Sequence, residues 1–468
     1  MDTFGTRTID TRVGPLSFDH GMPTSETVAK LYDEMDFQRA VQCYLWALPI
    51  VSWEGGRQAN EANFGADYDD VTLYGDYRTL STAFTPNLTT PYSWAFLHLA
   101  EQGPTVVEMP PGATAGAIID WWERPITDVG LVGPDQGRGG KYLLVGPGQD
   151  TPEAPGFHVF RSRTVHVPFF FRVLNPEADD AEAIKAGVRI YPYSRHEDPP
   201  PTRHIDSARD GELRTMVPPG GLAYWERLAE ALAGEPGEDR DRFFRAMLRS
   251  LGIEAGKPFQ PDERQRKLLI EGALVGEAIA KTCAFHRRFV GIRYRPDVRW
   301  NYLISPDWAL NQDVDDYTQL EERSTFAYEV LAMSAGSMPT KPGTGQTYLC
   351  AYWDADGQVL DGAKSYRLHV PPNPPAERFW AVTVYDLDTR CFIQNKEEIP
   401  ERSSRTGLKA NDDGSVDVYF GPTAPAGLES NWIPTVPGKA WFTYLRLYGP
   451  LQPFFDRSWV LPDIETLQ

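Results

Sequence analysis

The stretch Phe84-Thr85-Pro86-Asn87-Leu88-Thr89-Thr90-Pro91-Tyr92-Ser93-Trp94 gathers an amide, several hydroxyls and three aromatic rings into eleven residues. Pro86 and Pro91 confine the residues before them to extended or turn conformations. Small polar groups are thus held on a stiff turn ahead of an apolar run, Ala95-Phe96-Leu97, that reads as a strand. Such a turn suits ligand contact: Asn87, Thr89 and Thr90 would orient a substrate, and Tyr92 would donate or accept a proton. A purely structural reading stands beside it, in which Asn87 and the threonines satisfy their own backbone. A second cluster, Asn431-Trp432-Ile433-Pro434, sets an indole beside an amide, a pairing that stacks on a ring while fixing its orientation. Trp53 or Trp432 would then supply an apolar wall, unless each tryptophan plugs the end of a β-sandwich.

Other chemistry finds little support. The chain has no G-x-S-x-G, no H-E-x-x-H, no C-x-x-C and no G-x-G-x-x-G after a strand, so neither a metal nor a tightly bound organic cofactor is expected. Gly137-Arg138-Gly139-Gly140-Lys141 misses the phosphate-loop spacing, and Tyr142 follows the lysine. The 8 histidines are scattered. The acidic run Asp313, Asp315, Asp316, Glu321 and Glu322 reads as a solvated surface or a helix start. A formal charge of −19 disfavours nucleic acid and anionic membranes as partners. The four cysteines Cys43, Cys283, Cys350 and Cys391 lie far apart, which reads as free thiols in a reducing compartment. Met1-Asp2-Thr3-Phe4-Gly5 shows neither a basic nor an apolar region of an export signal, and the apolar run Tyr44–Val51 is too short to span a bilayer. A cytoplasmic protein is expected.

The elements that must position these residues follow from spacing. Residues 1–23 read as a polar, irregular arm. Thr24-Ser25 can cap a helix carrying Val28, Leu31, Tyr32, Met35, Phe37, Ala40, Val41, Tyr44, Leu45 and Leu48 at helical intervals, with Pro49 as its stop. Strands are predicted at Tyr92–Leu99, Thr105–Met109, Thr127–Val132, Lys141–Val145, Phe157–Phe160 and Thr164–Val173, with Ala113–Trp122 as an inserted helix. A connector rich in proline and charge over residues 174–220 leads to helices marked by Tyr224–Leu232, Phe243–Leu251 and Pro261–Phe289, with a further short one at Ala327–Ala335. Strands return at Tyr348–Trp353, Ser365–Val370, Arg378–Tyr385, Ser415–Phe420 and Trp441–Tyr448, between Asp-Gly turns.

In order, Tyr44-Leu45-Trp46-Ala47-Leu48-Pro49, Thr85-Pro86-Asn87 through Tyr92-Ser93, Asp128-Val129-Gly130 and Gly139-Gly140-Lys141-Tyr142-Leu143 resemble the domain of unknown function 1254. Tyr366-Arg367-Leu368-His369, Phe379–Asp386, Asn431-Trp432-Ile433-Pro434 and Leu445-Arg446-Leu447-Tyr448-Gly449-Pro450 resemble its companion, the domain of unknown function 1214. The resemblance implies an α+β, mainly β chain: an N-terminal arm and helix start over 1–35, an Ig-like β-sandwich over 36–200, a helical connecting domain over 201–340 and a jelly-roll-like β-sandwich over 341–468. It also implies homo-oligomers. The family's usual run, Pro-Asn-Asn-Asp-Thr-Leu-Tyr-Ser, departs here at Leu88, Thr89 and Pro91, so Thr89 stands where a carboxylate is usual.

Two functions compete on these grounds. The first is an enzyme acting on a small organic molecule by hydrolysis or elimination, at a cleft between the two sandwiches and the helices. The rival is a non-catalytic binding protein presenting aromatic–amide patches such as Asn431-Trp432 to a saccharide or protein, a reading that the missing carboxylate at Thr89 favours. A third, structural reading is an oligomeric scaffold with helix 24–48 packed between subunits.

Overall fold

The computed structural model describes residues 5–209 and 211–467. The chain is a mixed α/β protein with strands in several open sheets and nine α-helices among the described residues. The helix that begins at Ser25 is capped as its sequence predicts, Thr24 Oγ1 accepting from the Thr27 N–H at 3.3 Å. It does not stop at Pro49 but runs to Phe64, a length of 40 residues. Pro49 lacks the N–H that would close on Leu45, and side chains engage carbonyls around the gap. The Tyr224 hydroxyl donates to Tyr44 O at 2.7 Å, and the Arg323 guanidinium donates to Trp46 O. Every residue from Leu48 to Gly55 is buried, so packing overrides the local breaker. A Cβ on Gly55 would lie 2.8 Å from the Met216 carbonyl oxygen, which explains a glycine in mid-helix.

Residues 1–4 of the expected irregular arm lie outside the described residues. From Arg7 onward the arm is instead a three-stranded sheet, Arg7–Thr11, Gly14–Asp19 and Met22–Pro23. Its first strand is exposed at all five positions. Backbone pairing holds the sheet, so no apolar alternation marks it in the sequence.

The N-terminal β region pairs a six-stranded sheet with a four-stranded one. The six-stranded order is His204–Asp206, Val71–Tyr74, Tyr92–His98, His166–Val173, Thr114–Ile119 and Pro125–Gly130. The four-stranded order is His158–Arg161, Gly140–Val145, Thr105–Met109 and Arg189–Pro192. The segment expected as an inserted helix is therefore the strand Thr114–Ile119. It is buried at every position, which erases the period-2 signal. A Cβ on Gly116 would fall 2.2 Å from the Phe170 carbonyl oxygen, so its neighbour strand can approach only a glycine.

Helices Leu222–Ala233, Arg242–Ser250 and Glu263–Phe285 follow, the last opened by a capping box between Asp262 and Gln265. The short helix expected at Ala327–Ala335 lies earlier, at Leu320–Glu329, with the acidic Glu321 and Glu322 in its first turn. The C-terminal β region again has two sheets. One runs Asn301–Tyr302, Gln346–Ala351, Trp441–Pro450, Ala376–Asp386 and Glu401–Ser403; the other runs Trp432–Pro434, Val416–Gly421, Tyr366–Val370 and Glu465–Thr466.

Strand alternation sends side chains two ways in both regions. Ala95, Leu97, Phe169 and Phe171 enter a core between the N-terminal sheets, while Trp94, Phe96 and Phe170 point the other way. Leu445 and Leu447 enter the C-terminal inter-sheet core, while Phe442 and Tyr444 point the other way. These outward sets, from regions far apart in sequence, join the central helix in one continuous core. The Phe84–Trp94 run lies at that seam.

Candidate functional site

The Phe84–Trp94 run is fastened to the C-terminal sheet. Asp76 caps the preceding turn of helix by accepting from the Thr79 N–H at 2.9 Å. Thr85 adopts a left-handed backbone, φ 36°, and its N–H donates to Arg390 O at 2.8 Å. Its carbonyl accepts from Arg446 Nη2 at 2.5 Å, and the Pro86 carbonyl accepts from the Tyr385 hydroxyl at 2.7 Å. Three residues on, the Thr89 N–H donates to Glu401 Oε1 at 2.9 Å, and the Thr89 hydroxyl donates to the same oxygen.

Asn87 organises the other side of the turn. Its Oδ1 accepts from the N–H and the hydroxyl of Thr90, at 2.8 and 2.9 Å. Its Nδ2 donates to the Tyr92 hydroxyl at 2.8 Å. Arg172 Nη1 also donates to that hydroxyl, at 3.2 Å. Both lone pairs of the phenol oxygen are therefore engaged, and its own proton is left to point elsewhere.

Tyr92 opens onto a narrow chamber with a cavity volume of about 60 Å³. One wall is Tyr92, Trp94, Phe170 and Arg172 from the N-terminal sheet. The facing wall is Gln346, Tyr348, Tyr444 and Arg446 from the C-terminal sheet, and Phe326, Val330 and Leu331 close a side. Register explains the convergence: Trp94 pairs with Phe170, and Tyr348 pairs with Arg446. A cleft of about 280 Å³ adjoins it, sharing Leu303, Ile304, Ser337 and Tyr348 with the chamber.

The electrostatics of the chamber are unbalanced. Arg172 and Arg446 are 4% and 2% exposed, and among the described residues neither has a carboxylate partner. Arg172 makes one hydrogen bond, to Tyr92, and lies over the rings of Tyr92 and Tyr448, each 5.4 Å from its carbon centre. Arg446 bonds to Thr85 O, Pro86 O and the Tyr385 hydroxyl. The Nε of each arginine and the Tyr448 hydroxyl lack partners. Burial pushes the phenols of Tyr385, Tyr444 and Tyr448 upward, so these rings stay protonated and supply no counter-charge. Two buried carboxylates nearby are already committed: Glu329 pairs with Arg287 at 2.6 Å and accepts from Tyr352 and Tyr444 at 2.7 and 2.5 Å, and Glu401 accepts from Thr89 and Thr383.

The residues singled out in the sequence thus separate. Tyr92 lines the chamber, Asn87 orients it, Thr90 is held by Asn87, and Thr89 faces Glu401. Trp53 lies one ring behind the wall, 5.7 Å from Trp94, with its N–H donating to Glu123 at 2.5 Å. Trp432 opens a strand of the other C-terminal sheet, and Asn431 ends the turn just before it. The Asn431 amide is bonded to the main chain of Lys409 and Asp417, and the Trp432 N–H donates to Gly421 O at 2.9 Å. Sequence reasoning missed Arg172, Arg446, Tyr348 and Glu401. A signal existed in Phe169-Phe170-Phe171-Arg172-Val173 and Tyr444-Leu445-Arg446-Leu447-Tyr448, where a lone charge interrupts an apolar strand.

The crystal structure of the VPA0106 protein from Vibrio parahaemolyticus matches with a TM-score of 0.57 at 17% identity, over 92% of this chain and 100% of that one, a likeness of fold alone. An uncharacterised protein from Burkholderia cenocepacia matches with a TM-score of 0.38 at 13% identity, over 94% and 96% of the two chains. No curated protein matches the chain. Residues 73–192 match the protein of unknown function DUF1254, and residues 345–452 match the protein of unknown function DUF1214. The two matches stand in the order DUF1254 ahead of DUF1214 along the chain.

Proposed function

We propose that the protein is an enzyme acting on a small organic molecule in the chamber between its two β regions, by hydrolysis or elimination, with Tyr92 moving the proton. The observation that carries this reading is the Tyr92 hydroxyl, which accepts from Asn87 at 2.8 Å and from Arg172 at 3.2 Å. Its proton is free for a bound molecule, and the oxygen left after donation faces a guanidinium. Asn87 and Arg172 are positioning residues in this scheme, and Trp94 and Phe170 form the apolar wall. The test compares metabolite mixtures incubated with wild type and Tyr92→Phe by untargeted mass spectrometry. The expected result is a small metabolite consumed by wild type and spared by the variant; equal consumption sinks the assignment.

The finer architecture belongs to the same proposal: an Ig-like sandwich over the N-terminal sheets and a jelly-roll-like one over the C-terminal sheets. A cytoplasmic location is supported by four free thiols, three of them buried. Self-association is supported by Val28, Leu31, Tyr32 and Met35, a helical stripe that stays exposed. Sedimentation of wild type against a chain with Val28, Leu31, Tyr32 and Met35 all changed to Ser tests it, and a wild-type chain that sediments as a monomer removes the idea.

A further inference from the structure

We propose that the chamber takes a small organic carboxylate, with Arg172 as its anchor and the Arg446 charge and Tyr92 O–H completing the anion pocket. This rests on the small-molecule reading above and assigns the charge of what binds there.

A buried guanidinium without a counter-ion is costly; this chain gives two such groups a carboxylate, while Arg323 and Arg390, also buried, donate to backbone carbonyls. Arg124 meets Asp120 at 2.6 Å and Glu238 at 2.5 Å, and Arg287 meets Glu329 at 2.6 Å. Acids are abundant in a chain with 65 Asp and Glu residues. Yet Arg172 and Arg446, on facing walls of one chamber, have no ion-pair partner among the described residues. Arg172 spends one of its five N–H donors within the protein. The Nε of both arginines and the Tyr448 hydroxyl find no acceptor. Two guanidinium charges thus face this space with unused N–H donors, so an acceptor with negative charge would complete it.

A carboxylate fits the remaining features. Its two coplanar oxygens match the guanidinium fork, and the Tyr92 proton can complete its coordination. The cavity volume of about 60 Å³ holds only a few heavy atoms. Trp94, Phe170, Phe326 and Leu331 leave a dry surface for a short hydrocarbon tail, which favours an organic acid over a fully hydrated inorganic oxyanion.

The test is calorimetric titration of the full-length protein with acetate through hexanoate and benzoate, each against its primary amide, plus inorganic phosphate and sulfate at fixed ionic strength. Expected is one-to-one binding of at least one acid. Its amide should bind about ten- to a hundredfold more weakly, and Arg172→Met should weaken the acid by a similar factor. Arg172→Lys, which keeps the charge but not the fork, should fall between. If Arg172→Met does not fold, the acid-to-amide ratio on wild type and the Arg172→Lys value decide the matter. Amides binding as well as acids, acid binding indifferent to Arg172, or phosphate or sulfate binding in place of every carboxylate each overturns the proposal while leaving a small-molecule chamber intact. Binding of no probe also overturns it. The separate Tyr92→Phe metabolite comparison then shows whether the small-molecule reading falls too.

Discussion

Thr89 and Glu401 meet across the seam between the two β regions. The Thr89 N–H and hydroxyl both donate to Glu401 Oε1, and the Thr383 hydroxyl holds Oε2 at 2.6 Å. Glu401 is buried, so its contacts must come from donors. Thr89→Asp would set a second carboxylate against it and should cost about 2–4 kcal/mol at neutral pH. The two carboxylates repel only while both are ionised, so the penalty is larger at pH 8 than at pH 5. Denaturant melts at pH 5 and 8 should show this loss, with Glu401→Gln relieving it in the double variant. A Thr89→Asp protein as stable as wild type at pH 8 would contradict the contact.

Glu123 gives the molecule a pH dependence of opposite sense to an ordinary paired acid. Burial pushes its carboxyl from 4.5 up to about 8, against hydrogen bonds from the Met333 and Trp53 N–H groups that favour the charged form. Between those values the folded chain holds a proton that the unfolded chain has released. Stability therefore falls as pH rises through the window, by about 1.4 kcal/mol per pH unit, and levels off above it. Asp128, pushed by burial from 3.8 to about 6, adds to the lower part of the fall. Glu123→Gln cannot ionise, but its amide N–H would face one of the two donors. It should be less stable than wild type at pH 5, and the gap should close by pH 8. Urea midpoints at both pH values check this, and a constant gap would exclude the titration.

Local chemistry was readable in the sequence where a few adjacent residues settle it. Thr24 and Asp262 cap their helices, and Asn87 closes its turn on Thr90. The N-terminal sheet was missed because its exposed first strand carries no apolar alternation, and the other misses come from burial on all sides. Thr114–Ile119 has no polar face to alternate with. Pro49 is carried through a helix because Leu48 to Gly55 are enclosed by elements distant in sequence. The chamber itself depends on contacts such as Arg446 to Thr85, 361 positions apart. Within its own strand Arg446 is one charge among apolar neighbours. Its role as the clamp of the Phe84–Trp94 turn exists only once the two β regions meet.

Gly276 separates helix propensity from packing. Helix Glu263–Phe285 lies against helix Ser25–Phe64 so closely that a Cβ on Gly276 would come within 2.6 Å of Tyr44 Cγ. Alanine gains about 1 kcal/mol over glycine by propensity, but overpacking costs about 1–3 kcal/mol. Tyr44 cannot turn aside freely, since it stacks on Tyr224 at 4.0 Å. Gly276→Ala should therefore lower stability, whereas Leu274→Ala on the exposed face should stay within about 0.5 kcal/mol of wild type. A stabilised Gly276→Ala chain would mean that the helices can move apart.

Asn87 has two duties that substitution can divide. Its Oδ1 satisfies the buried Thr90 N–H and hydroxyl, and its Nδ2 donates to Tyr92. Asn87→Ala removes both and strands the Thr90 N–H, at a cost of about 1–3 kcal/mol. Asn87→Asp keeps the acceptor for Thr90 but replaces the donor with a second acceptor. The Tyr92 proton would then turn toward the new carboxylate and away from the chamber, and that carboxylate would also offer Arg172 a counter-ion. Melting should therefore place Asn87→Asp near wild type and Asn87→Ala clearly below it. In metabolite profiles Asn87→Asp should instead behave like Tyr92→Phe. A fully active Asn87→Asp protein would show that the direction of the Tyr92 proton has no part in the chemistry.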